Sequence, residues 1–154
     1  MLEGELAYHS GKIEEGLSKL RHSVELSDSL PYDEPWGWMQ PPRHALGALL
    51  LDQDRIEEAM ALYRADLGLD ETLPRALRHP HNVWALSGYH ECLLHCPQVE
   101  RGEMSAIEKQ LWQAKETSDV KIGSSCYCRK SKVEDHVSKA GHVSPWRFNT
   151  DKTR

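Results

Sequence analysis

The sequence is poor in cysteine, in phenylalanine and in long apolar runs. Only four of its 154 residues are cysteine, and one is phenylalanine. Four thiols are too few for the disulfide framework of a small secreted protein, and no signal-like apolar stretch opens the chain, so the sequence favours a reducing, cytoplasmic location. Its longest apolar run, at 45–51, has seven residues, far below the roughly 20 that a bilayer requires. The sequence therefore predicts no membrane partner.

Positive charge is also scarce over most of the chain. The formal net charge is -5, but residues 129–154 carry seven Lys and Arg against three Asp and Glu, which leaves -9 on residues 1–128. Nucleic-acid binding needs a basic face, so the acidic body argues against a nucleic-acid partner. Residues 129–154 have few apolar side chains and no periodicity, which predicts a disordered basic tail.

The chain is rich in helical periodicity, which runs through most of residues 1–117. Three stretches share one layout: a small residue in a first helix, a short polar turn, and a second amphipathic helix. This layout predicts an all-α fold, with helical hairpins at about 1–28, 43–70 and 82–117 in a repeat domain that covers 1–128. An extended segment at 119–128 is expected to lie back on the last hairpin. Asn82 is expected to cap the first helix of that hairpin.

The first two units match most closely at their turns, where HSGKIEEGLSKL at 9–20 aligns with DQDRIEEAMALY at 52–63. In this alignment Gly16 matches Ala59, at a place where the two helices of a hairpin must approach closely. A glycine inside a helix costs about 1 kcal/mol relative to alanine, so glycines at matched places indicate close packing. The small contact on the first helices is a glycine in every unit: Gly4, Gly47 and Gly88.

This layout resembles the tetratricopeptide repeat (TPR), which carries W-x2-L-G-x2-Y on its first helix and A-x3-F-x2-A on its second. The resemblance covers roughly residues 1–117. It implies a short right-handed α-solenoid whose first helices line a concave surface, with a protein or peptide ligand held there. The matched glycines are 43 and 41 residues apart, rather than about 34, because insertions at 31–43 and 71–81 lengthen the links between hairpins.

A narrower resemblance comes from four motifs in order: EPWGWMQP-x-RHALGALLL, Y-R-x-D-L, N-x-W-x-L-x-G and S-C-aromatic-C. Together they are similar to the C-terminal part of long, largely uncharacterised microbial TPR proteins. That resemblance implies that the chain is a fragment of a longer protein or a truncated gene product. The sequence itself opens inside a repeat, and such an open end is expected to expose apolar surface and to allow self-association.

Two interpretations remain for the loop, dense in Trp and Pro, that joins the first two hairpins. Trp36 and Trp38 either anchor this loop on the helices or form the aromatic wall of a ligand pocket. The prolines around them block helix formation. With the first helices as a concave wall, the predicted binding-surface residues are Trp36, Trp38, Arg43, His44, Gln53, Tyr89, His90 and Glu91.

The alternative function is a metal-dependent enzyme, or part of one, with copper or zinc between the Trp loop, His44 and the Cys126-x-Cys128 pair. The sequence has no nucleophile elbow, P-loop or dinucleotide fingerprint, so no catalytic residue and no cofactor beyond such a metal is predicted. Cys92 and Cys96 share a helix face and are expected to be structural.

Overall fold

The computed structural model of this chain describes residues 1–31 and 40–129. Within these ranges the chain folds into six α-helices and two 3₁₀ helices without a strand, which confirms the predicted all-α class. Trp36, Trp38 and the predicted tail from residue 130 onward lie outside the described residues. The helices are α1 (Leu2–His9), α2 (Ile13–Asp28), α3 (Pro42–Leu51), α4 (Ile56–Leu67), α5 (Val83–His95) and α6 (Arg101–Glu116), with 3₁₀ helices at Arg75–Leu77 and Tyr127–Arg129.

The turn between α1 and α2 has the same conformation as the turn between α3 and α4. Gly11 and Asp54, which the sequence alignment pairs, both adopt a left-handed backbone conformation, with φ of 87° and 55°. The residues that follow them, Lys12 and Arg55, have φ of -89° and -87° and ψ of 64° and 63°. A positive φ is ordinary for glycine and tolerated by aspartate. One loop geometry therefore serves both sequences.

The first two helices approach each other so closely that there is no room for a side chain at Gly4 or at Gly16. A Cβ added at Gly4 would lie 2.7 Å from Cγ of Leu20. One added at Gly16 would lie 2.7 Å from the backbone nitrogen of Tyr8. Neither distance is compatible with normal van der Waals contact. This explains why glycine stands at both of the places where the repeat pattern required a small residue.

Tyr63 of α4 packs against two glycines on two different helices. Its ring and hydroxyl fill the space that side chains at Gly47 of α3 and Gly88 of α5 would need. The tyrosine is buried, with 0% exposure. The two glycines thus leave a gap between α3 and α5 through which the Tyr63 hydroxyl reaches the far side of these helices.

The most enclosed element of the fold is α3. Each helix packs against the next along the chain, and α3 also packs against α5. All ten residues of α3 are buried, enclosed by α2, α4, α5 and the 3₁₀ helix Tyr127–Arg129. None of the described helices has both the length and the apolar character needed to cross a bilayer.

After α6 the chain turns back over the helices. Residues 122–129, which we call the return segment, bury Ile122, Ser124, Ser125 and Cys126. The sequence led us to expect this stretch on the last hairpin, which contains α5. It does contact α5 of that hairpin, and it also lies over α3; its last residue, Arg129, was assigned from the sequence to the tail. We call the surface of α3 and α5 beneath it the groove.

Candidate functional site

The return segment ends in an ion pair with α5. Nη1 of Arg129 donates to both carboxylate oxygens of Glu91, at 2.8 and 2.9 Å. Asp52, at the end of α3, also lies close, with Oδ1 3.8 Å from Nε of Arg129. The Arg129 and Asp52 side chains are only 15% and 9% exposed, so solvent screens these charges weakly. The cluster fixes the end of the return segment over both helices.

Ser125 holds the middle of the return segment. Its hydroxyl forms hydrogen bonds with the Tyr63 hydroxyl and, at 3.4 Å, with the backbone oxygen of His44. Both hydroxyl-bearing side chains are buried, and this burial raises the pKa of Tyr63 well above its ordinary value. The contact satisfies two hydroxyl groups that the fold removes from water, so Tyr63 stays neutral and hydrogen-bonded.

Tyr127 covers the start of α5. Its ring packs edge-on against Trp84, with the ring centroids 5.0 Å apart and the planes at 68°. Such pairs contribute about 0.5–1.5 kcal/mol beyond their burial. Just before Trp84, Asn82 caps α5 as the sequence predicted, because its side-chain oxygen accepts from the backbone N–H of Trp84 and Ala85 at 2.9 and 3.2 Å.

A cavity of about 440 Å³ lies beside the return segment. Such a volume falls within the range of small-molecule sites. Three helices, the residue pair before α3 and the return segment all contribute to its walls, including Glu5, Gln40, His44, Trp84, Cys126 and Cys128. Carboxylate, amide, imidazole and thiol groups therefore come together at one place, between the return segment and the helices that begin the three sequence units.

Hydrogen bonds converge on the sulfur of Cys126. Its Sγ accepts from the backbone N–H of Cys128 at 3.3 Å and from Nε2 of Gln40 at 3.5 Å. The interaction with the Cys128 thiol lowers the pKa of Cys126 and raises that of Cys128. The turn at residues 126–129, closed by the backbone N–H of Arg129 donating to the Cys126 oxygen at 3.3 Å, thus brings the N–H of Cys128 to the Cys126 sulfur.

A buried carboxylate joins two histidines next to the groove. Asp66 of α4 is 0% exposed, and its two oxygens bond Nε2 of His44 at 2.9 Å and Nδ1 of His79 at 2.8 Å. Burial alone would raise the pKa of Asp66, but the hydrogen bonds to His44 and His79 hold it below its ordinary value. Sequence reasoning missed this cluster. Its one signal in the sequence is an acidic residue between Ala65 and Leu67, close to the end of α4.

Two of the predicted binding residues join the first helix pair to α3. Arg43 is buried and forms an ion pair with Asp28 of α2. Gln53 donates through Nε2 to the Tyr8 hydroxyl at 2.6 Å, and that hydroxyl donates to Oδ2 of Asp52 at 2.6 Å. The structure therefore places Arg43 and Gln53 in contacts between helices.

Tyr89, His90 and Glu91 are consecutive on α5 and have different partners. The Tyr89 hydroxyl donates to Oε1 of Glu103 at 2.6 Å, and Nε2 of His90 lies 3.8 Å from Oε1 of Glu108, so both contact α6. Glu91 instead holds the return segment. Of the described residues predicted to bind a ligand, His44 and Glu91 are the two that contact the return segment.

The residues of the predicted copper or zinc centre share the cavity. His44, Cys126 and Cys128 all line it. However, Nε2 of His44 is engaged with Asp66 at 2.9 Å. Among residues 1–31 and 40–129, no three His, Cys, Asp or Glu side chains are grouped so that they could hold a metal ion. The metal centre stays a prediction from the sequence.

Comparison of the chain with models of protein families, with curated proteins and with solved structures finds no match. The TPR resemblance therefore depends on the chain's own motifs. The features of this chain that bear on its function are the return segment, the groove beneath it and the cavity beside it.

Proposed function

We propose that this chain is a cytoplasmic peptide-binding scaffold of the TPR type, a short right-handed α-solenoid in which α1, α3 and α5 line the concave surface. The observation that carries this proposal is the return segment. It is a stretch of chain without α-helix that lies across α3 and α5, and it is held there by the backbone oxygen of His44 in α3 and the carboxylate of Glu91 in α5.

The arrangement of the helices supports the solenoid. In such folds each repeat contacts its neighbours and uses one geometry many times. Here the turns at Gly11 and Asp54 share a left-handed conformation. Gly47 and Gly88, at the same position in consecutive units, pack on opposite parts of one Tyr63 side chain. These are the contacts that stacking of related hairpins would produce.

The return segment defines the chemistry of the proposed partner. Ser125 occupies an enclosed place beside Tyr63, which suits a small hydroxyl side chain. Tyr127 packs its ring on the start of α5, and Arg129 pairs with Glu91. The proposed ligand is a segment of another protein that carries a small hydroxyl, an aromatic and a basic residue at alternate positions. It binds by displacing the return segment.

Charge favours a basic ligand over an acidic one. Residues 1–128 carry a formal charge of -9, and the groove ends at two carboxylates, Asp52 and Glu91. Complementary charge speeds association and disfavours partners of the wrong sign. The same acidic character would repel phosphorylated or acidic segments.

A labelled peptide with the sequence of residues 119–130 tests the proposal. Fluorescence anisotropy would measure its binding to the full chain and to the Arg129→Glu variant, whose return segment is repelled by Glu91. We expect the variant to bind the peptide at least about tenfold more tightly, because the groove of the unmodified chain is occupied.

The double variant Glu91→Arg/Arg129→Glu provides a matched control. It re-forms the ion pair with the charges exchanged, so the return segment should close the groove again and peptide binding should weaken. A peptide that binds all three proteins equally, or none of them, would contradict the proposal, because docking would then be independent of the groove.

A further inference from the structure

We propose that Cys126 and Cys128 form a redox-active dithiol that reduces low-molecular-weight disulfides entering the cavity between α1, α3 and α5. This activity goes beyond peptide binding and depends on different atoms. The observation that carries it is geometric: two donors, the backbone N–H of Cys128 and the amide of Gln40, point at the sulfur of Cys126 from 3.3 and 3.5 Å, and both cysteines line one cavity.

Such a set of donors suits a thiolate better than a thiol. A neutral thiol is a weak acceptor, whereas a thiolate is the nucleophile in disulfide exchange and is stabilised by hydrogen-bond donors. The backbone N–H of Cys128 and the amide of Gln40 are two such donors, and both reach Sγ of Cys126.

The chain contains an internal comparison. Cys92 of α5 is also a free, buried cysteine, but burial raises its pKa to about 12. A cysteine in that environment remains a thiol at neutral pH and behaves as a small apolar residue. Cys126 therefore differs from Cys92 in its hydrogen bonds and in lining the cavity, although both side chains are buried.

The cavity provides a way for a small disulfide to reach the pair. Its volume of about 440 Å³ can hold one half of a small disulfide beside Cys126 and Cys128, which both line it. Gln40 is exposed at its edge, and Cys128 is half-buried. The substrate therefore needs to bring one sulfur to Cys126 while the rest of the molecule stays in solvent.

The reaction is a two-step exchange. The Cys126 thiolate attacks one sulfur of the substrate R–S–S–R, which forms a mixed disulfide Cys126–S–S–R and releases R–S⁻. The released thiolate takes the proton of the Cys128 thiol. The Cys128 thiolate then attacks Sγ of Cys126, forms the Cys126–Cys128 disulfide and releases the second R–S⁻. The substrate disulfide is reduced to two thiols, and the two cysteines are oxidised to one disulfide.

The first test uses the unmodified full chain, so it does not depend on any variant folding. A limiting amount of iodoacetamide is added at neutral pH, and the labelled cysteines are mapped by mass spectrometry. We expect Cys126 to be alkylated at least about tenfold faster than Cys92, since only the thiolate reacts. Equal rates for these two buried cysteines would overturn the proposal.

The second test uses oxidised glutathione as the substrate. The unmodified chain should form the Cys126–Cys128 disulfide, and Cys128→Ser should stop at a mixed disulfide on Cys126. The Cys126→Ser variant should react at least about tenfold more slowly, while Cys96→Ser, outside the cavity, should react like the unmodified chain. Circular dichroism on each variant would verify that its helices form.

Three outcomes would overturn the proposal. The first is a disulfide between Cys92 and Cys96 in place of the predicted one. The second is equal reactivity of the Cys126→Ser and Cys128→Ser variants. The third is stoichiometric copper or zinc in the purified chain that is lost from the Cys126→Ser/Cys128→Ser double variant, because both sulfurs would then be metal ligands.

Discussion

Nη1 of Arg129 donates at nearly equal distances, 2.8 and 2.9 Å, to the two carboxylate oxygens of Glu91. The two residues are 38 positions apart in the sequence, so their contact closes a long loop that includes the whole of α6. Whether this pair is formed is therefore a direct measure of whether the return segment is docked.

Replacement of Arg129 by alanine should destabilise the chain by about 1–3 kcal/mol, because it leaves the partly buried carboxylate of Glu91 without its partner. Urea denaturation followed by circular dichroism would measure the change. Arg75→Ala, at an exposed arginine in the first 3₁₀ helix, is the matched control and should change stability by less than about 0.5 kcal/mol. Equal effects of the two substitutions would show that the ion pair does not hold the segment.

Removal of the Tyr63 hydroxyl by Tyr63→Phe should cost about 1–2 kcal/mol, since it deprives buried Ser125 of a hydrogen bond. The ring still fills the gap beside Gly47 and Gly88, so packing is preserved. A double-mutant cycle with Ser125→Ala checks the cause. If the hydroxyls interact, the two losses should not add, whereas strictly additive losses would mean that they act separately.

Alanine at Gly47 or Gly88 should destabilise the chain by about 1–3 kcal/mol. The added Cβ collides with the fully buried Tyr63 ring, and overpacking of this kind outweighs the gain of about 1 kcal/mol in helix propensity. Gly102→Ala in α6 is the control, because a Cβ there meets nothing within 4 Å, and it should be neutral or stabilising. Thermal unfolding curves of the three variants would show whether each substitution destabilises or stabilises the chain.

Acid should weaken the fold through Asp66. Its pKa in the folded chain lies below the unfolded value of about 3.8, so its contribution is present above that value and is lost as pH falls through the folded pKa. Asp66→Asn should cost about 2–4 kcal/mol near neutral pH. It should also flatten the fall in stability between about pH 5 and pH 2.

The exposed Asp119→Asn is the control for that measurement. Its stability should follow the pH dependence of the unmodified chain. Equal losses of stability by Asp66→Asn and Asp119→Asn on acidification would contradict this prediction. In that case the acid sensitivity would come from the general charge of the chain, not from the buried carboxylate.

The sequence predicted those parts of the fold that depend on residues close to one another along the chain. The spacing of apolar residues within single helices predicted the all-α structure. Gly47 and Gly88 indicated close packing, because only a residue without a side chain permits it. Asn82 predicted the start of α5, because asparagine is favoured at the N-terminal cap of a helix. Each of these signals depends on residues within a few positions of one another.

The site is harder to predict because its contacts join distant parts of the chain. Ser125 meets Tyr63 across 62 positions, and Arg129 meets Glu91 across 38. The sequence around Ser125 contains no pattern that predicts a contact with Tyr63, whose ring packs between Gly47 and Gly88. The contact between Cys126 and Cys128 likewise depends on a 3₁₀ turn, which lies in a segment that the sequence pattern predicted to be extended.

A tethered occupant changes what the groove can accept. The return segment is covalently joined to α6, so it competes at an effective local concentration that reaches the millimolar range for short flexible linkers. An incoming segment of equal intrinsic affinity therefore meets a surface that is vacant only for a small fraction of the time, and its apparent affinity falls by that fraction. Under the proposed function, weak partners would therefore be rejected, and only a ligand that is abundant, multivalent or better matched than the return segment would displace it.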